Sequence, residues 1–375
     1  MKITAAVAET PHQPFGIHEL DLAPPQPGEV LVRLAGTGIC HTDLMVRDQW
    51  YPVPLPAVLG HEGSGVVEAV GDRHDDAITP GDHVVLSYAS CGSCRTCLRG
   101  GPAFCEGFFA HNFAGRRPDG TTRLSRDGHA VHDAFFGQSS FATHAVVPRR
   151  ALVRVDPALP LELLGPLGCG VQTGAGSVLN VLRCEAGSSI AVFGTGAVGC
   201  SAVMAAVVAG CTTVVAVGGN PARLALAEAL GATHTLSFAQ ADPVQEIRRL
   251  TGGTGADYSL EATGSPAVLR QAVDCLRQGG TCGLTGAAAL GTEVSLDMSG
   301  LLFGRTVTGI LEGGSVPQVF IPELIDLYRR GRFPFDRMIT PYPLAGINEA
   351  VADMKAGRAV KPVLVPGAGT DGRHE

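Results

Sequence analysis

The sequence predicts an α/β protein with two parts, a mostly β region followed by a doubly wound parallel sheet. Within the first 150 residues, short β-branched runs alternate with Gly and Pro turns, as at 30–38, 63–71 and 81–88. From 188 onward, strand and helix patterns alternate, which is typical of a parallel sheet. A chain of 375 residues also exceeds the size that one hydrophobic core usually serves. We therefore expect two domains.

The alternation of strands and helices ends near residue 313. Amphipathic helix patterns follow at 317–333 and 344–359, and a final strand pattern lies at 360–366. We assign this tail to the first domain, which then comprises 1–170 and 314–375, while 171–313 form the second. Residues 111–133, rich in Gly, Arg, Asp and His, and the last several residues are expected to be loose.

The composition excludes several classes of partner. The formal net charge is −7 and Lys and Arg form no long run, so nucleic acid and anionic membrane surfaces are not expected partners. The apolar stretch at 202–210 is too short to span a bilayer, and the N-terminus has no long apolar core before a cleavage site. We expect a cytoplasmic protein.

Four of the eleven cysteines are grouped in one segment. They are separated by two, two and seven residues, a spacing that lets one loop surround a tetrahedral zinc ion: Cys91, Cys94, Cys97 and Cys105. An iron–sulfur cluster is the alternative, but Glu106 stands where bacterial ferredoxins have Pro. With four protein ligands the zinc has no open position, so its expected role is structural.

Three further residues are candidates for a catalytic zinc, which needs three protein ligands and a vacancy. Cys40 follows the strand pattern at 30–38, and both His61 and Cys169 are flanked by glycines. Each residue alone is weak evidence, because His61 could be a core histidine and Cys169 a buried thiol.

A glycine-rich turn predicts a dinucleotide site. Gly194, Gly196 and Gly199 follow an apolar strand pattern and precede a helix pattern, which is the context that makes G-x-G-x-x-G informative. The turn also includes Thr195, Ala197 and Val198. Such a turn brings backbone close to a pyrophosphate, whose charge the helix N-terminus favours.

The end of the next strand pattern indicates which nicotinamide cofactor binds. NAD-specific sites usually carry Asp or Glu there, whereas this chain has Gly218 with Asn220 and Arg223 nearby. Without a carboxylate to repel a 2′-phosphate, we expect NADP(H). The alternative is NAD(H) held more weakly.

These features occur in the order and spacing of a known family. Cys40 with Thr42 and Asp43, the GHEG segment at 60–63, the four-cysteine loop, Cys169 and the glycine turn together resemble zinc-dependent medium-chain alcohol dehydrogenases. Residues 112–120 and 135–147 are most similar to the aryl- or benzyl-alcohol dehydrogenase branch. The resemblance spans nearly the whole chain and implies a GroES-like catalytic domain followed by a Rossmann cofactor domain.

The resemblance also implies roles for individual residues. Cys40, His61 and Cys169 would bind the catalytic zinc, and Glu62 would approach the ion when the fourth ligand exchanges. Asp43 would accept a hydrogen bond from His61. The other implied roles are a proton relay through Thr42, pyrophosphate contacts from His41 and Lys361, nicotinamide contact by Thr173, and a substrate channel lined by Trp50, Tyr51 and Phe113. Alternatively, Glu62 balances local charge, Lys361 lies in solvent, and each of the three aromatic residues only packs the domain.

The expected activity is interconversion of primary aromatic or allylic alcohols and aldehydes by hydride transfer to NAD(P). Many relatives complete the proton relay with a histidine where this chain has Met45, so bound water is the expected substitute. The alternatives are a glutathione-dependent formaldehyde or polyol dehydrogenase and a non-catalytic nucleotide-binding relative. A homo-oligomer, dimer or tetramer, is expected through an edge strand at 307–315.

Overall fold

The computed structural model describes residues 1–71 and 77–367. Within these ranges the chain divides into two compact units. The first contains Met1–Cys169, Val316–Pro322 and the described residues from Met338 onward, and the second contains Gly170–Ser315 and Glu323–Arg337. The last of these segments, Glu323–Arg337, belongs to the tail 314–375, which the sequence predicts to be part of the first domain.

The regular elements of the described chain are eighteen strands and eleven α-helices. The strands are β1 Lys2–Ala8, β2 Gly16–Leu22, β3 Glu29–Gly38, β4 Ala57–Val58, β5 Gly63–Val70, β6 His83–Leu86, β7 Leu124–Arg126, β8 His129–Val131, β9 His144–Pro148, β10 Leu152–Val155, β11 Ser189–Phe193, β12 Thr213–Gly218, β13 His234–Ser237, β14 Ala256–Glu261, β15 Leu276–Leu284, β16 Thr306–Gly309, β17 Ile339–Pro343 and β18 Lys361–Val365. The helices are α1 His41–Arg47, α2 Arg95–Leu98, α3 Phe108–Asn112, α4 Gly170–Gly176, α5 Ala197–Ala209, α6 Pro221–Ala229, α7 Pro243–Leu250, α8 Pro266–Asp274, α9 Met298–Leu302, α10 Pro317–Arg329 and α11 Ile347–Ala356.

The first unit is built on two sheets. One has the strand order β4-β1-β2-β7-β8, and the other has the order β10-β6-β5-β3-β18-β17 with β9 also paired to β3. Strand β18, from the end of the chain, pairs antiparallel with β3, so residues of the tail join a sheet formed by the first 150 residues. This pairing places Lys361 beside the segment that leads from β3 into α1.

The second unit contains one parallel sheet in the order β13-β12-β11-β14-β15-β16. The order reverses direction at β11, whose C-terminal end leads through the glycine turn into α5. In doubly wound sheets, ligands bind at such a switch point. The predicted α/β class, with a mostly β part and a doubly wound parallel sheet, is confirmed.

The segment 111–133 is not the loose loop that its composition suggested. It contains β7 and β8, and two buried arginines in it contact the buried Glu29. Arg117 donates two hydrogen bonds of 2.9 and 2.8 Å to Glu29, and Arg123 donates to both Glu29 and Asp133. These buried ion pairs hold the segment against β3. The sequence pattern could not predict them, because Glu29 is distant from both arginines along the chain.

Residues 368–375, the other segment expected to be loose, lie outside the described residues. Within the described ranges, no helix has both the length and the apolar character that crossing a membrane requires.

Candidate active site

The N-terminus of α1 carries the first group of predicted site residues. Cys40 is the N-cap of the helix, and Asp43, in the first turn, accepts a hydrogen bond of 2.8 Å from the Cys40 backbone N–H. This contact fixes the backbone of Cys40 at the point where the chain passes from β3 into α1. The hydroxyl of Thr42 lies 3.6 Å from the Cys40 sulfur. One short helix therefore presents a thiol and a hydroxyl side by side.

Asp43 connects this helix to the second candidate ligand, His61. Nδ1 of His61 donates to Asp43 Oδ1 at 2.8 Å, and the backbone N–H of Gly60 donates to the same oxygen at 3.1 Å. Both side chains are fully buried. Gly60 has φ +90° and lies so close to Phe141 that a side chain there would collide with it. Since the carboxylate holds Nδ1, the ring nitrogen Nε2 is directed away from it.

Cys169 reaches the same place from the end of the first unit. A short helical turn, Gly165–Gly168, ends at Cys169, and the hydroxyl of Ser87 donates to the Gly168 carbonyl at 2.7 Å. A side chain at Gly168 would collide with the carbonyl oxygen of Leu86. Glycine is therefore required for the turn to approach β6 closely enough to bring in Cys169.

The donor atoms of these residues fit a metal ion. The ligand atoms of Cys40, His61, Glu62 and Cys169 all lie within 4.8 Å of one another. Nε2 of His61 is buried and makes no hydrogen bond, so the cluster contains a nitrogen lone pair or proton that is without a partner. Two sulfurs and one imidazole nitrogen are a donor set that zinc accepts in catalytic sites.

The electrostatics of the cluster also favour a cation. The Cys169 thiol, followed by His61, lowers the pKa of Cys40 well below its usual value. Burial alone would lower the pKa of His61, but Asp43 outweighs it and raises that pKa well above the ordinary value. Zinc binds thiolates and neutral imidazole, so a bound ion would replace the protons on these groups.

Glu62 has a partner of its own within this group. The buried ammonium of Lys361 lies 2.8 Å from both carboxylate oxygens of Glu62, and it also donates to the Ile39 carbonyl at 3.1 Å. Burial raises the pKa of Glu62, and Lys361 opposes only part of that effect. Lys361 is 2% exposed, so the alternative that it lies in solvent is wrong. Its predicted contact with a pyrophosphate stays a prediction.

Aromatic side chains extend from His61 toward two of the predicted substrate residues. Phe136 stacks on the His61 ring with centroids 4.5 Å apart, and Phe135 meets it edge-on at 5.2 Å. Phe113 contacts both phenylalanines, and Tyr51 lies 5.7 Å from Phe113. We call these four residues, Phe135, Phe136, Phe113 and Tyr51, the aromatic wall.

The two members of the wall that touch the histidine, Phe135 and Phe136, were not predicted from the sequence. Phe136 has φ 51° and Ala134 has φ 62°, so this turn adopts a left-handed backbone that no local pattern indicated. The available signal was the FF pair at 135–136 within a segment already matched to the family. Trp50, the third predicted substrate residue, is 48% exposed.

The four-cysteine segment forms a second, separate donor group. The four sulfurs lie within 4.8 Å of one another, and none is in a disulfide. Backbone N–H groups point at the sulfurs, as in the contacts of Cys94 N and Ser93 N with Cys91 Sγ at 3.2 and 3.4 Å. These N–H groups lower the pKa of Cys91 to about 5. Burial, in contrast, raises the pKa of Cys97 to about 12, so the loop by itself favours the thiolate at Cys91 but not at every cysteine.

Five of the predicted nucleotide residues line a cleft of about 170 Å³ in the second unit: Gly194, Thr195, Gly218, Asn220 and Arg223. Gly194 has φ +106°, and a side chain at Gly199 would collide with the carbonyl oxygen of Gly194. Gly218, Asn220 and Arg223 lie on the cleft, and none of the described residues that line it is acidic. This cleft therefore lacks the carboxylate that an NAD-specific site would carry.

The structure places the remaining predicted residues as follows. Thr195 lines the cleft, Ala197 and Val198 open α5, His41 is the exposed first residue of α1, and Thr173 is buried in α4. The roles assigned to these residues stay predictions.

The described geometry agrees with matches to known families and proteins. Residues 26–157 match the alcohol dehydrogenase GroES-like domain, and residues 197–330 match the zinc-binding dehydrogenase family. The chain is 48% identical to geraniol dehydrogenase from Castellaniella defragrans, covering 96% of this chain and 97% of that protein. This chain belongs to the zinc-dependent medium-chain alcohol dehydrogenase family. The predicted family and enzyme class are confirmed.

Two solved structures are also similar to this family member. An alcohol dehydrogenase zinc-binding domain protein from Burkholderia ambifaria is 54% identical with a TM-score of 0.95, covering 97% of this chain and 99% of that one. Benzyl alcohol dehydrogenase from Acinetobacter calcoaceticus is 46% identical with a TM-score of 0.94, at the same coverage.

Proposed function

We propose that this enzyme interconverts primary benzylic or allylic alcohols and their aldehydes with NADP(H), using a zinc ion bound by Cys40, His61 and Cys169. The observation that carries the proposal is the convergence of two sulfurs and an unpartnered imidazole nitrogen within 4.8 Å, next to a wall of aromatic rings. The first unit would be the catalytic domain and the second the cofactor domain.

The site's own residues account for the chemistry as follows. When bound, zinc supplies Lewis acidity that lowers the pKa of an alcohol hydroxyl, and NADP⁺ accepts the hydride. Thr42, which lies next to the Cys40 sulfur, accepts the hydroxyl proton. Asp43 positions His61 through Nδ1. Because Met45 is buried where relatives carry a histidine, water carries the proton onward from Thr42.

Glu62 would remain on Lys361 while three ligands hold the ion, which leaves the fourth position for substrate or water. The two Lys361 contacts at 2.8 Å oppose direct ligation by Glu62 in this arrangement. The Cys91, Cys94, Cys97 and Cys105 group would hold a second zinc with four protein ligands and so stabilise its loop.

The substrate class is inferred from the aromatic wall and from the relatives. Stacked rings favour a flat, unsaturated group beside the reacting carbon. The relatives named geraniol and benzyl alcohol dehydrogenase act on alcohols of that type, and each covers nearly the whole chain. The preference for NADP(H) rests on Gly218 and on the half-buried guanidinium of Arg223 at the cleft. A homo-oligomer joined through β16, an end strand of the parallel sheet, is part of the proposal.

The test is kcat/KM for benzyl alcohol, geraniol, a saturated aliphatic alcohol and S-(hydroxymethyl)glutathione, each measured with NAD⁺ and NADP⁺. The proposal expects the first two alcohols and NADP⁺ to give the highest values. A preference for the glutathione adduct would refute the substrate class, and a large preference for NAD⁺ would refute the cofactor assignment. Elemental analysis should find two zinc ions per chain, one of which is lost in Cys40→Ser.

A further inference from the structure

The segment 134–141, which follows β8, has an unusual backbone. Four of its residues have positive φ: Ala134 at 62°, Phe136 at 51°, Gly137 at 73° and Ser139 at 50°. Three of the four carry a side chain, and residues with side chains rarely adopt this left-handed conformation. Such conformations persist only where surrounding contacts determine them, and they are concentrated at functional sites. The contacts of the segment therefore indicate which site residues depend on it.

Backbone hydrogen bonds hold this segment against the residues that precede His61. Ser140 N donates to Gly60 O at 2.9 Å, and Phe141 N donates to Leu59 O at 2.9 Å. These contacts align the segment with the chain that carries the histidine. A side chain of the segment can therefore reach the backbone of His61 itself.

Gln138 is the side chain that does so. Its Nε2 donates to His61 O at 2.9 Å and to Ser87 O at 3.3 Å, and its Oε1 accepts from Gly63 N at 3.0 Å. Gln138 is 2% exposed, so these contacts are shielded from water. The reverse orientation of the amide would place its NH₂ against an N–H group and its oxygen against two carbonyls. All three backbone partners are satisfied only in the orientation described.

Ser87 connects Gln138 to the segment of a second candidate ligand, Cys169. The backbone carbonyl of Ser87 accepts from Gln138, and its hydroxyl donates at 2.7 Å to the carbonyl of Gly168, which directly precedes Cys169. Ser87 is fully buried. One buried amide is thus bonded to the backbone of His61 and, through Ser87, to the turn that ends at Cys169.

We propose that Gln138 is a positioning residue of the proposed zinc site, which holds the backbone segments of His61 and Cys169 at the spacing that one metal ion requires. The inference rests on the proposed function, because those two residues are proposed to share a zinc ion with Cys40. A metal site keeps its geometry only when supporting contacts hold its ligands to within about 0.5 Å. Gln138 contacts backbone groups, so it acts through the ligands and does not itself bind the ion.

Gln138 and Asp43 act on different parts of the same histidine. Asp43 accepts from Nδ1 and so fixes the orientation of the His61 ring. Gln138 fixes the backbone from which that ring extends. Loss of Gln138 should therefore change the distance between ligands even while the ring keeps its carboxylate partner.

Gln138→Met tests the inference in the zinc-loaded enzyme. Methionine is unbranched and of similar length, but it provides no N–H donor and only a weak acceptor. Three backbone groups then lose their partner, and the segments of His61 and Cys169 are free to move apart. The zinc of the Cys40 site should be released to a chelator at least about tenfold faster than in the wild-type enzyme. The zinc of the four-cysteine site should be released at the wild-type rate.

Asn112→Leu is the matched control. Asn112 is a fully buried amide of the same unit that also makes three hydrogen bonds to the backbone. It accepts from Ala89 N at 2.9 Å, and it donates to Ala89 O at 2.9 Å and to Phe108 O at 2.8 Å. Both substitutions should lower the free energy of unfolding. Only Gln138→Met should accelerate zinc release from the Cys40 site.

Cobalt substitution provides a readout that depends neither on turnover nor on stability. Co²⁺ in place of the zinc of the Cys40 site absorbs light according to the geometry of its thiolate and imidazole ligands. The positions or intensities of these bands should change in Gln138→Met and should match the wild-type enzyme in Asn112→Leu.

Ser87→Ala tests the connection to Cys169 separately. It removes the hydroxyl that donates to Gly168 but keeps the backbone carbonyl that accepts from Gln138. Zinc release from the Cys40 site should be about threefold faster or more, the size expected for one neutral hydrogen bond. The double variant should show less than the product of the two single effects, because both residues act through one chain of contacts.

The outcomes separate this inference from the proposed function. Equal zinc release from the wild-type enzyme and Gln138→Met would overturn the inference, as would the same acceleration in Asn112→Leu or at both zinc sites. If Gln138→Met does not fold, Ser87→Ala decides, and a wild-type release rate with a wild-type cobalt spectrum would overturn the inference. A wild-type enzyme that binds only the zinc of the four-cysteine site would refute the proposed function, and the positioning role with it.

Discussion

Asp43→Asn is the substitution that tests the proposed zinc site most directly. The Asp43 carboxylate is fully buried and accepts three hydrogen bonds, from Cys40 N, Gly60 N and His61 Nδ1. Asparagine has nearly the same volume, but one of its two terminal groups is an NH₂ donor. Whichever way the amide turns, its NH₂ faces at least one N–H group.

The expected magnitude follows from these contacts. If the amide keeps its oxygen toward His61 and Gly60, its NH₂ group faces the backbone N–H of Cys40. In the wild-type protein this N–H donates to the Asp43 carboxylate at 2.8 Å. If it turns over, the histidine loses its acceptor. Loss of such an orienting partner typically weakens metal binding about 10- to 100-fold. That range corresponds to about 1.4–2.8 kcal/mol, in line with the roughly 1.5–3 kcal/mol assigned to a hydrogen bond with a charged group.

The assay is zinc release to a chelator, monitored together with the zinc content of the protein. The four-cysteine site does not involve Asp43, so its zinc serves as an internal reference within the same molecule. Asp21→Asn, at a half-exposed carboxylate that contacts Lys2, is the matched control and should release neither zinc faster. Unchanged affinity at the Cys40 site in a folded Asp43→Asn enzyme would refute the assigned role of Asp43.

Three other predictions concern turnover, cofactor choice and stability. Thr42→Ala should lower kcat about 100-fold while both zincs remain, because the proton acceptor is lost. Gly218→Asp should shift the kcat/KM ratio about tenfold or more toward NAD⁺, since a carboxylate there repels a 2′-phosphate. Glu29→Gln should lower the free energy of unfolding by about 3 kcal/mol in urea titrations at about pH 7, because it leaves the buried Arg117 and Arg123 without their shared carboxylate. Burial alone would raise the pKa of Glu29, but the two arginines outweigh it and lower that pKa below its ordinary value of 4.5. The stabilisation of the fold by the Glu29 carboxylate is therefore complete above pH 4.5, and it is lost as the pH falls through the pKa of Glu29 in the folded protein.

Each of these has a control. Thr42→Ser should keep most of the turnover, and equal loss in both variants would argue against a relay. Gly218→Ala tests steric effects, because a Cβ at this position would lie 2.7 Å from Thr195 Oγ1; an equal cofactor shift in both Gly218 variants would contradict the charge argument. Glu68→Gln removes an exposed ion pair with Arg33 and should cost less than about 1 kcal/mol. A similar cost for both glutamates would contradict the argument from burial.

Local patterns were sufficient wherever the chemistry depends on residues that are close in sequence. The spacing of Cys91, Cys94, Cys97 and Cys105 predicts a donor group because one loop supplies every sulfur. The glycine turn is equally local, since Gly194 and Gly199 are required by contacts within the turn itself. For Cys40, His61 and Cys169, the residue types alone did not decide whether they bind a metal ion. The resemblance to the family made them the predicted zinc ligands.

Some features could not be read from the sequence because their partners are distant along the chain. Glu62 and Lys361 are separated by 299 positions, and only the pairing of β18 with β3 brings them together. The buried contacts of Arg117 with Glu29 span 88 positions, and they hold a segment whose composition alone suggested a loose loop. The stacking of Phe136 on His61 requires Phe136 itself to adopt a left-handed backbone conformation, and no glycine marks that position in the sequence.

By itself, the sequence determined the fold class, the four-cysteine group and the glycine turn, because periodicity, short spacings and glycine requirements are properties of neighbouring residues; the family followed from the resemblance of several motifs together. Only the tertiary structure decided that Lys361 is buried on Glu62 and that an aromatic wall adjoins His61. Each of these contacts depends on strand pairing or packing between segments far apart in the chain. Such contacts are stabilised by burial in the folded protein, and no pattern of neighbouring residues predicts which distant segment supplies the partner.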